Sequence, residues 1–276
     1  MSFLAVFLAA AISPPGPTLA VEDTMHTEVP PIVVHAPRVT LDEILARVAR
    51  GEAKRESLLT DQTFLATARV VAHAAEKGKE PSLYSETVVR VYKKRPDKVK
   101  AVVLRRYRAT PKGKGSGGDA SIRFGPGMGE RLVNFAFRPE SRRDFKYHIV
   151  GRDIVGNHVV YRIAFEPRSL LVPGQPEGLV WVDTNDFVIV RQEIGFERSP
   201  APLFLERMDR MVIEREQEAG HWVLRRVLVR ATATFPIPKL GRTVDLSLQF
   251  DDYAINSGLP DSLFRGGSGR VAVEGD

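Results

Sequence analysis

Apolar and polar positions along the chain follow two periods, and the switch between them falls near residue 60. Thr40-Leu-Asp-Glu43 opens the first periodic stretch. Thr40 suits an N-cap, and Glu43, three residues on, suits the other half of a capping box. Leu41, Ile44, Leu45 and Val48 follow at helical spacing, which predicts a helix over 41–58. From there the period falls to two. Thr63 to Ala74 has the pattern of a strand, and Ser82 to Arg95 with Lys98 to Arg108 that of a hairpin closed by Arg95-Pro-Asp-Lys98. Further strands are predicted over 144–152, 157–166, 178–183, 186–197, 206–217, 221–235 and 242–254. Two alternate cleanly. Val227, Val229, Ala231, Ala233 and Phe235 share one face of theirs. Val244, Leu246, Leu248 and Phe250 share one face of the other, opposite Asp245, Ser247 and Gln249. Half-buried antiparallel strands have this pattern.

Consecutive strands with short turns, after one substantial helix, predict a mainly β (α+β) fold built on a large, curved antiparallel sheet or barrel. No mid-chain linker interrupts the strands, so residues 40–264 are expected to form one domain. The glycine- and lysine-rich stretch 111–119 has no apolar anchor and is expected to be a mobile loop. The segment 120–143 is ambiguous between helix and strand. The tail 265–276 has little to pack and is expected to be flexible.

Upstream of the helix, residues 21–39 are proline-rich and aperiodic, as a linker would be. Phe3 to Ile12 is an uncharged apolar run, too short to span a bilayer. With small residues near Ala20 it fits a signal peptide over 1–20, although no Lys or Arg stands between Met1 and Phe3. Export to the periplasm is the expectation, with no transmembrane helix in the mature chain. The formal net charge is +6, and its excess is local: Arg90 to Lys114 holds eleven Lys or Arg against one acid, Asp97. Tyr84, Tyr92 and Tyr107 are too few for a nucleic-acid stacking platform, and export would remove that partner. The stretch is instead expected to be a solvated hairpin face, open to anionic lipid head groups or an acidic protein.

The chain has no cysteine, which excludes disulfides, thiolate metal sites and cysteine nucleophiles. Its six histidines are scattered without metal-ligand spacing, and no GxSxG or phosphate-binding glycine motif occurs. No metal, cofactor or catalytic residue is expected. The strongest acidic candidate is Asp183-Thr-Asn-Asp186, with Glu193 shortly after. A metal site would need more oxygen ligands. Asp and Asn favour turns, and apolar runs flank the segment, so it is expected to close a hairpin. A hydrolase would instead require a pocket where titratable groups converge.

Three further stretches carry a resemblance. Val91-Tyr-Lys-Lys-Arg-Pro-Asp-Lys-Val99 is an apolar strand running into Lys-Arg-Pro and a turn. Gly178-Leu-Val-Trp-Val-Asp183 with Phe187-Val-Ile-Val-Arg191 is a central hairpin. Gly220-His-Trp-Val223, Phe250-Asp-Asp-Tyr-Ala-Ile-Asn256 and Leu259-Pro-Asp-Ser-Leu-Phe264 fall at the closing strands. In this order, over residues 40–264, they resemble the LolA-like periplasmic carriers of lipoproteins and lipids. The resemblance implies a half-open barrel with a helix over its mouth, acyl chains held on the concave side, and no catalysis. It implies a cavity lined by Val89, Val91, Val99, Trp181, Phe187, Trp222, Leu246, Leu248 and Phe250. It also implies a lid contact made by Arg95 with Leu41, Ile44, Leu45 and Val48. Where the carriers have phenylalanine four residues after this arginine, the chain has Val99. The partners so implied are acyl chains of lipids or lipoproteins. The alternative is an envelope interaction or stress-sensing module that docks proteins through the basic 90–114 hairpin.

Overall fold

The computed structural model describes residues 39–73, 81–109, 135–169, 174–199, 203, 205–237, 241–265 and 271–273. The expected signal peptide, most of the linker, the 111–119 loop and most of 120–143 lie outside the described residues. Among the described residues, no helix is long and apolar enough to cross a membrane.

Among the described residues, one helix, α1 (Leu41–Leu58), precedes the sheet. Thr40 caps it, its hydroxyl accepting from the Glu43 amide at 3.2 Å. The Glu43 carboxylate turns to Arg47, one turn on. The strands are β1 (Asp61–His73), β2 (Ser82–Lys94), β3 (Lys98–Arg108), β4 (Phe145–Val155), β5 (His158–Pro167), β6 (Pro176–Asp183), β7 (Ile189–Phe196), β8 (Leu205–Glu218), β9 (His221–Ile237), β10 (Gly241–Ile255) and β11 (Val271–Val273). They form a single sheet in the order β11-β3-β2-β1-β10-β9-β8-β7-β6-β5-β4. Ten strands are antiparallel neighbours, and β1 and β10 close the chain's long path by pairing from Gln62↔Ile255 to His73↔Thr243. The sheet ends at β4 on one side and β11 on the other, so the barrel is half open.

The strand expectations hold to within a few residues. Two places differ. Short 3-10 turns stand at Phe135–Phe137 and Arg142–Asp144, where helix and strand were undecided. The tail expected to be flexible returns to the sheet, and Val271–Val273 lies parallel to Ala101–Val103. The edge of β3 offers unpaired backbone groups, and Val-Ala-Val is a β-forming run able to take them.

Alternation along the strands divides the sheet into two chemically different faces. On the concave face Phe64, Ala66, Ala68, Val89, Val91, Val103, Val227, Leu248 and Phe250 join Ile44, Leu45 and Val48 of α1 in one buried cluster. The outer face carries an ion-pair ladder. Glu214 on β8 bridges Arg191 on β7 and Arg226 on β9. Asp245 on β10 takes Arg230 at 2.7 Å and His73 at 2.8 Å. Glu86 on β2 takes Arg69 at 2.5 Å and also Arg105 on β3. Hydrogen bonds from Arg230 pull the Asp245 carboxyl down from 3.8 to about 2, against some desolvation and with help from His73. A depressed native value stabilises the fold above the unfolded value and loses that contribution as pH falls through the native one. Stability should therefore decline between about pH 4 and pH 2, and Asp245→Asn should flatten this limb in urea titrations taken across that range.

Candidate functional site

α1 lies on the concave face because its apolar stripe meets the apolar side of the strands. Ile44, Leu45 and Val48 are buried there and Leu41 packs against the same cluster. Its N-terminal end faces an aromatic group near the β4 edge. Phe137 and Phe145 each contact Phe165, with ring centroids 5.8 and 5.9 Å apart. Tyr147 donates its hydroxyl to the Ala136 carbonyl. Burial pushes the Tyr147 phenol up to about 12.

Three contacts hold the rest of the helix. The first is a close approach. A Cβ on Gly51 would stand 2.6 Å from the Phe187 carbonyl oxygen and nearer still to that of Asp186. Only glycine lets the helix rest on the β6–β7 turn. Asp183 shapes that turn by accepting the amides of Asn185 and Asp186, each at 3.0 Å. Phe187 leaves it at φ 55°, under the Arg47 guanidinium at 5.2 Å.

The second contact is ionic and buried. Glu52, 3% exposed, accepts from Arg215 on β8 at 2.6 Å, from the Ile189 amide on β7 at 2.9 Å and from Arg55 at 3.2 Å. Arg215 also reaches the Ile189 carbonyl at 3.0 Å, and Arg55 the Trp222 carbonyl at 3.5 Å. Burial alone would raise the Glu52 carboxyl, but the charges of Arg215 and Arg55 outweigh it and hold the group below its usual range.

The third contact caps the C-terminal end. Arg95, in the β2–β3 turn, donates to the Glu56 carbonyl at 2.6 Å. Asn256, just past β10, donates to the Leu58 carbonyl at 2.8 Å and accepts from the Thr60 amide at 2.9 Å. Buried Asp61 accepts from the Ser257 and Gly258 amides at 2.9 and 3.1 Å. Side chains thus satisfy orphan carbonyls at the helix end, and the guanidinium meets the negative pole of its dipole. A cavity of about 120 Å³ lies beside Arg95, lined by Glu56, Leu59, Asp61 and Gln62 among others. This is well below the roughly 300–1,000 Å³ of small-molecule sites.

The expected cavity residues divide. Val89, Val91, Val99, Leu248 and Phe250 are buried together in the concave cluster, with Phe187 and Leu246 half-buried against it. Trp181 and Trp222 are not among them. They pack with Val160, Val188 and Val190 in a second cluster. Trp181 alternates with Val180 and Val182, which belong to the concave side, so it must project from the other face of β6. There the Arg191 guanidinium stacks on it at 5.2 Å. The Trp222 indole donates to Asp186 at 2.9 Å and meets His158 edge-on, with ring centroids 5.0 Å apart. Sequence reasoning missed Gly51, Glu52, Arg55 and Arg215. Arg215 sits inside the charged run Ile213-Glu-Arg-Glu-Gln-Glu218, which has the look of a solvated strand.

The acidic candidates do not converge. Asp183 serves its turn and accepts from His158 at 3.2 Å, Asp186 holds Trp222, and Glu193 pairs with Arg191 and Arg210. Glu193 does border a depression of about 420 Å³ with His148, Glu166, Glu177 and Asp209. Desolvation opposes its ionisation, but hydrogen bonds from Arg191 and Arg210 keep its carboxyl low. A carboxylate so paired stays an anion at neutral pH and offers no proton for acid catalysis. The basic hairpin is also engaged within the chain. Arg90 pairs with Asp252 at 2.7 Å, and Lys94 and Lys98 grip Asp261 at 2.7 and 2.8 Å. Hydrogen bonds from Lys94 and Lys98 lower the Asp261 carboxyl to about 2.

No family model matches the sequence, and no curated protein matches it. Solved structures align along most of it. A DUF1329 family protein from Desulfovibrio piger is 13% identical with a TM-score of 0.43, covering 80% of this chain and 97% of its own. A LolA superfamily protein from Nitrosomonas europaea is 14% identical with a TM-score of 0.34, covering 82% and 97%. The lipoprotein LppX from Mycobacterium tuberculosis is 8% identical with a TM-score of 0.30, covering 80% and 99%.

Proposed function

We propose that the chain is an exported, periplasmic carrier that holds acyl chains of lipids or lipoproteins on its concave face, with α1 as the lid. The observation that carries this reading is the continuity of the apolar face. From the cluster under α1 it runs on to half-buried Val70, Leu246, Val229 and Met208, while the charged ladder keeps to the other side. Burying each CH₂ of an acyl chain there contributes about 0.8 kcal/mol, so one or two chains suffice for firm binding. Entry requires α1 to move, since its own apolar stripe covers part of the face.

Fluorescent fatty acid titration tests the reading. Wild type should bind, and Leu246→Asp should weaken binding by at least about tenfold, because a carboxylate in the apolar path is left unpaired. Equal binding by both proteins would rule out this face as the site. Arg95 is the proposed latch. Removing its charge-assisted bond to the Glu56 carbonyl should cost about 1 kcal/mol, given its exposure. Arg95→Ala should then raise hydrogen exchange in the last turn of α1 and speed acyl uptake. Unchanged exchange there would remove the latch from the mechanism.

A further inference from the structure

The tip of the β4–β5 hairpin is apolar and uncovered. Ile154 is 70% exposed and Val159, directly opposite it, 46% exposed. Val150 and Val155 are exposed as well. These side chains do not share a face. Tyr161 belongs to the concave cluster and Val160 to the other, so Val159 with Ile154 projects to the concave side and Val155 to the outer side. Among the described residues β4 is the last strand of the sheet, and no described strand shields the hairpin on that side. Along Phe145–Pro167 stand Lys146, Arg152 and Arg162 against Asp153 and Glu166. Lys146 pairs with Glu166 at 3.6 Å and Arg162 with Asp153 at 3.8 Å, while Arg152 lies over the Tyr161 ring at 5.1 Å.

We infer that this tip is a docking wedge for an anionic lipid bilayer surface. A groove on another protein would cover one face of a hairpin. A bilayer surrounds a protruding one and takes apolar groups from both sides, and Arg152, beside the tip, suits anionic head groups. The open backbone edge of β4 limits the depth. The Ile154 amide donates to Asp153 at 2.8 Å, but the other outward amides and carbonyls of this edge, which no described strand pairs, need water or head groups. The wedge therefore enters only the boundary between head groups and acyl chains. The hairpin also lies on the rim that the lid closes. The Thr184 amide, in the turn on which Gly51 rests, donates to the Val159 carbonyl at 3.1 Å. Docking would bring the lid rim to the membrane, where acyl chains are exchanged. That last step rests on the carrier reading, whereas docking itself rests on the hairpin alone.

The absence of cysteine permits a single-site probe. Ile154→Cys carrying an environment-sensitive NBD label should brighten and shift to the blue with phosphatidylglycerol-containing vesicles. The response should be smaller with pure phosphatidylcholine and weaker in high salt. The same label at Leu228→Cys, on β9, should stay unchanged. Ile154→Ser with Val159→Ser should reduce vesicle co-sedimentation about tenfold, with the thermal melt unaltered. A label at residue 154 that stays water-exposed with both vesicle types would overturn the proposal. So would a blue shift that grows with protein concentration alone, which would assign the hairpin to a second copy of this chain. Loss of fatty acid binding by wild type with docking intact would sink the carrier reading and leave the wedge standing.

Discussion

Replacing Glu52 by glutamine is expected to cost about 3–5 kcal/mol, because it removes the buried carboxylate that Arg55 and Arg215 share. For a domain of this size that corresponds to a fall in Tm on the order of 10 °C. The pair with Arg215 lies 2–4% exposed, so solvent does little to screen it. Removing all three charges is a different experiment. Glu52→Leu with Arg55→Leu and Arg215→Met should recover much of the lost stability, since desolvating the ions opposes their attraction. The pH dependence has a definite sign. The Glu52 carboxyl is held below 4.5, so its contribution is complete above that value and lost as pH falls through the lower native one. Thermal melts of the two variants check this. A single variant that melts like wild type would show that the ionic contact does not hold α1.

Gly51→Val carries the second large expectation. The new side chain would run into the backbone of the β6–β7 turn, where neither carbonyl can give way like a flexible side chain. Overpacking of this kind costs about 1–3 kcal/mol, and the small gain in helix propensity over glycine does not offset it. The less costly response is for α1 to tilt off the turn. Hydrogen exchange should therefore rise across the helix while the strands stay protected. Acyl uptake should become faster, and the melting point should fall. Gly195→Ala on β7, with nothing within 4 Å of its new methyl, should stay within about 0.5 kcal/mol of wild type. If both variants behave alike, the helix does not bear on the turn.

Much of the fold was legible because its signals are local. The Thr40 cap, the helical spacing through Val48 and the alternation from Val244 to Phe250 each depend on neighbours within a turn or a strand. Asp183 could be assigned to a turn for the same reason. The contacts that hold α1 to the sheet were not legible, since they join residues far apart in sequence. Glu52 and Arg55 have the spacing of an ordinary surface pair, and only the fold brings Arg215 beneath them. Trp181 illustrates a different limit. Its alternation with Val180 and Val182 put it on the other face from them, but nothing local said which face would be concave. A bulge at Val190 adds to this, because Trp181 pairs with Arg191 while Val182 pairs with Ile189, which reverses the side-chain order along β7. Arg95 was named from its motif alone; it donates to the Glu56 carbonyl near the helix end.

The central claim is that acyl chains lie on the concave face beneath α1. Native mass spectrometry of the protein purified from periplasm without detergent tests it most directly. Wild type is expected to carry a lipid-sized adduct that is lost in Leu246→Asp and exchanges faster in Arg95→Ala. Wild type free of adduct and unable to bind a fluorescent fatty acid, or an adduct that Leu246→Asp leaves in place, would contradict it.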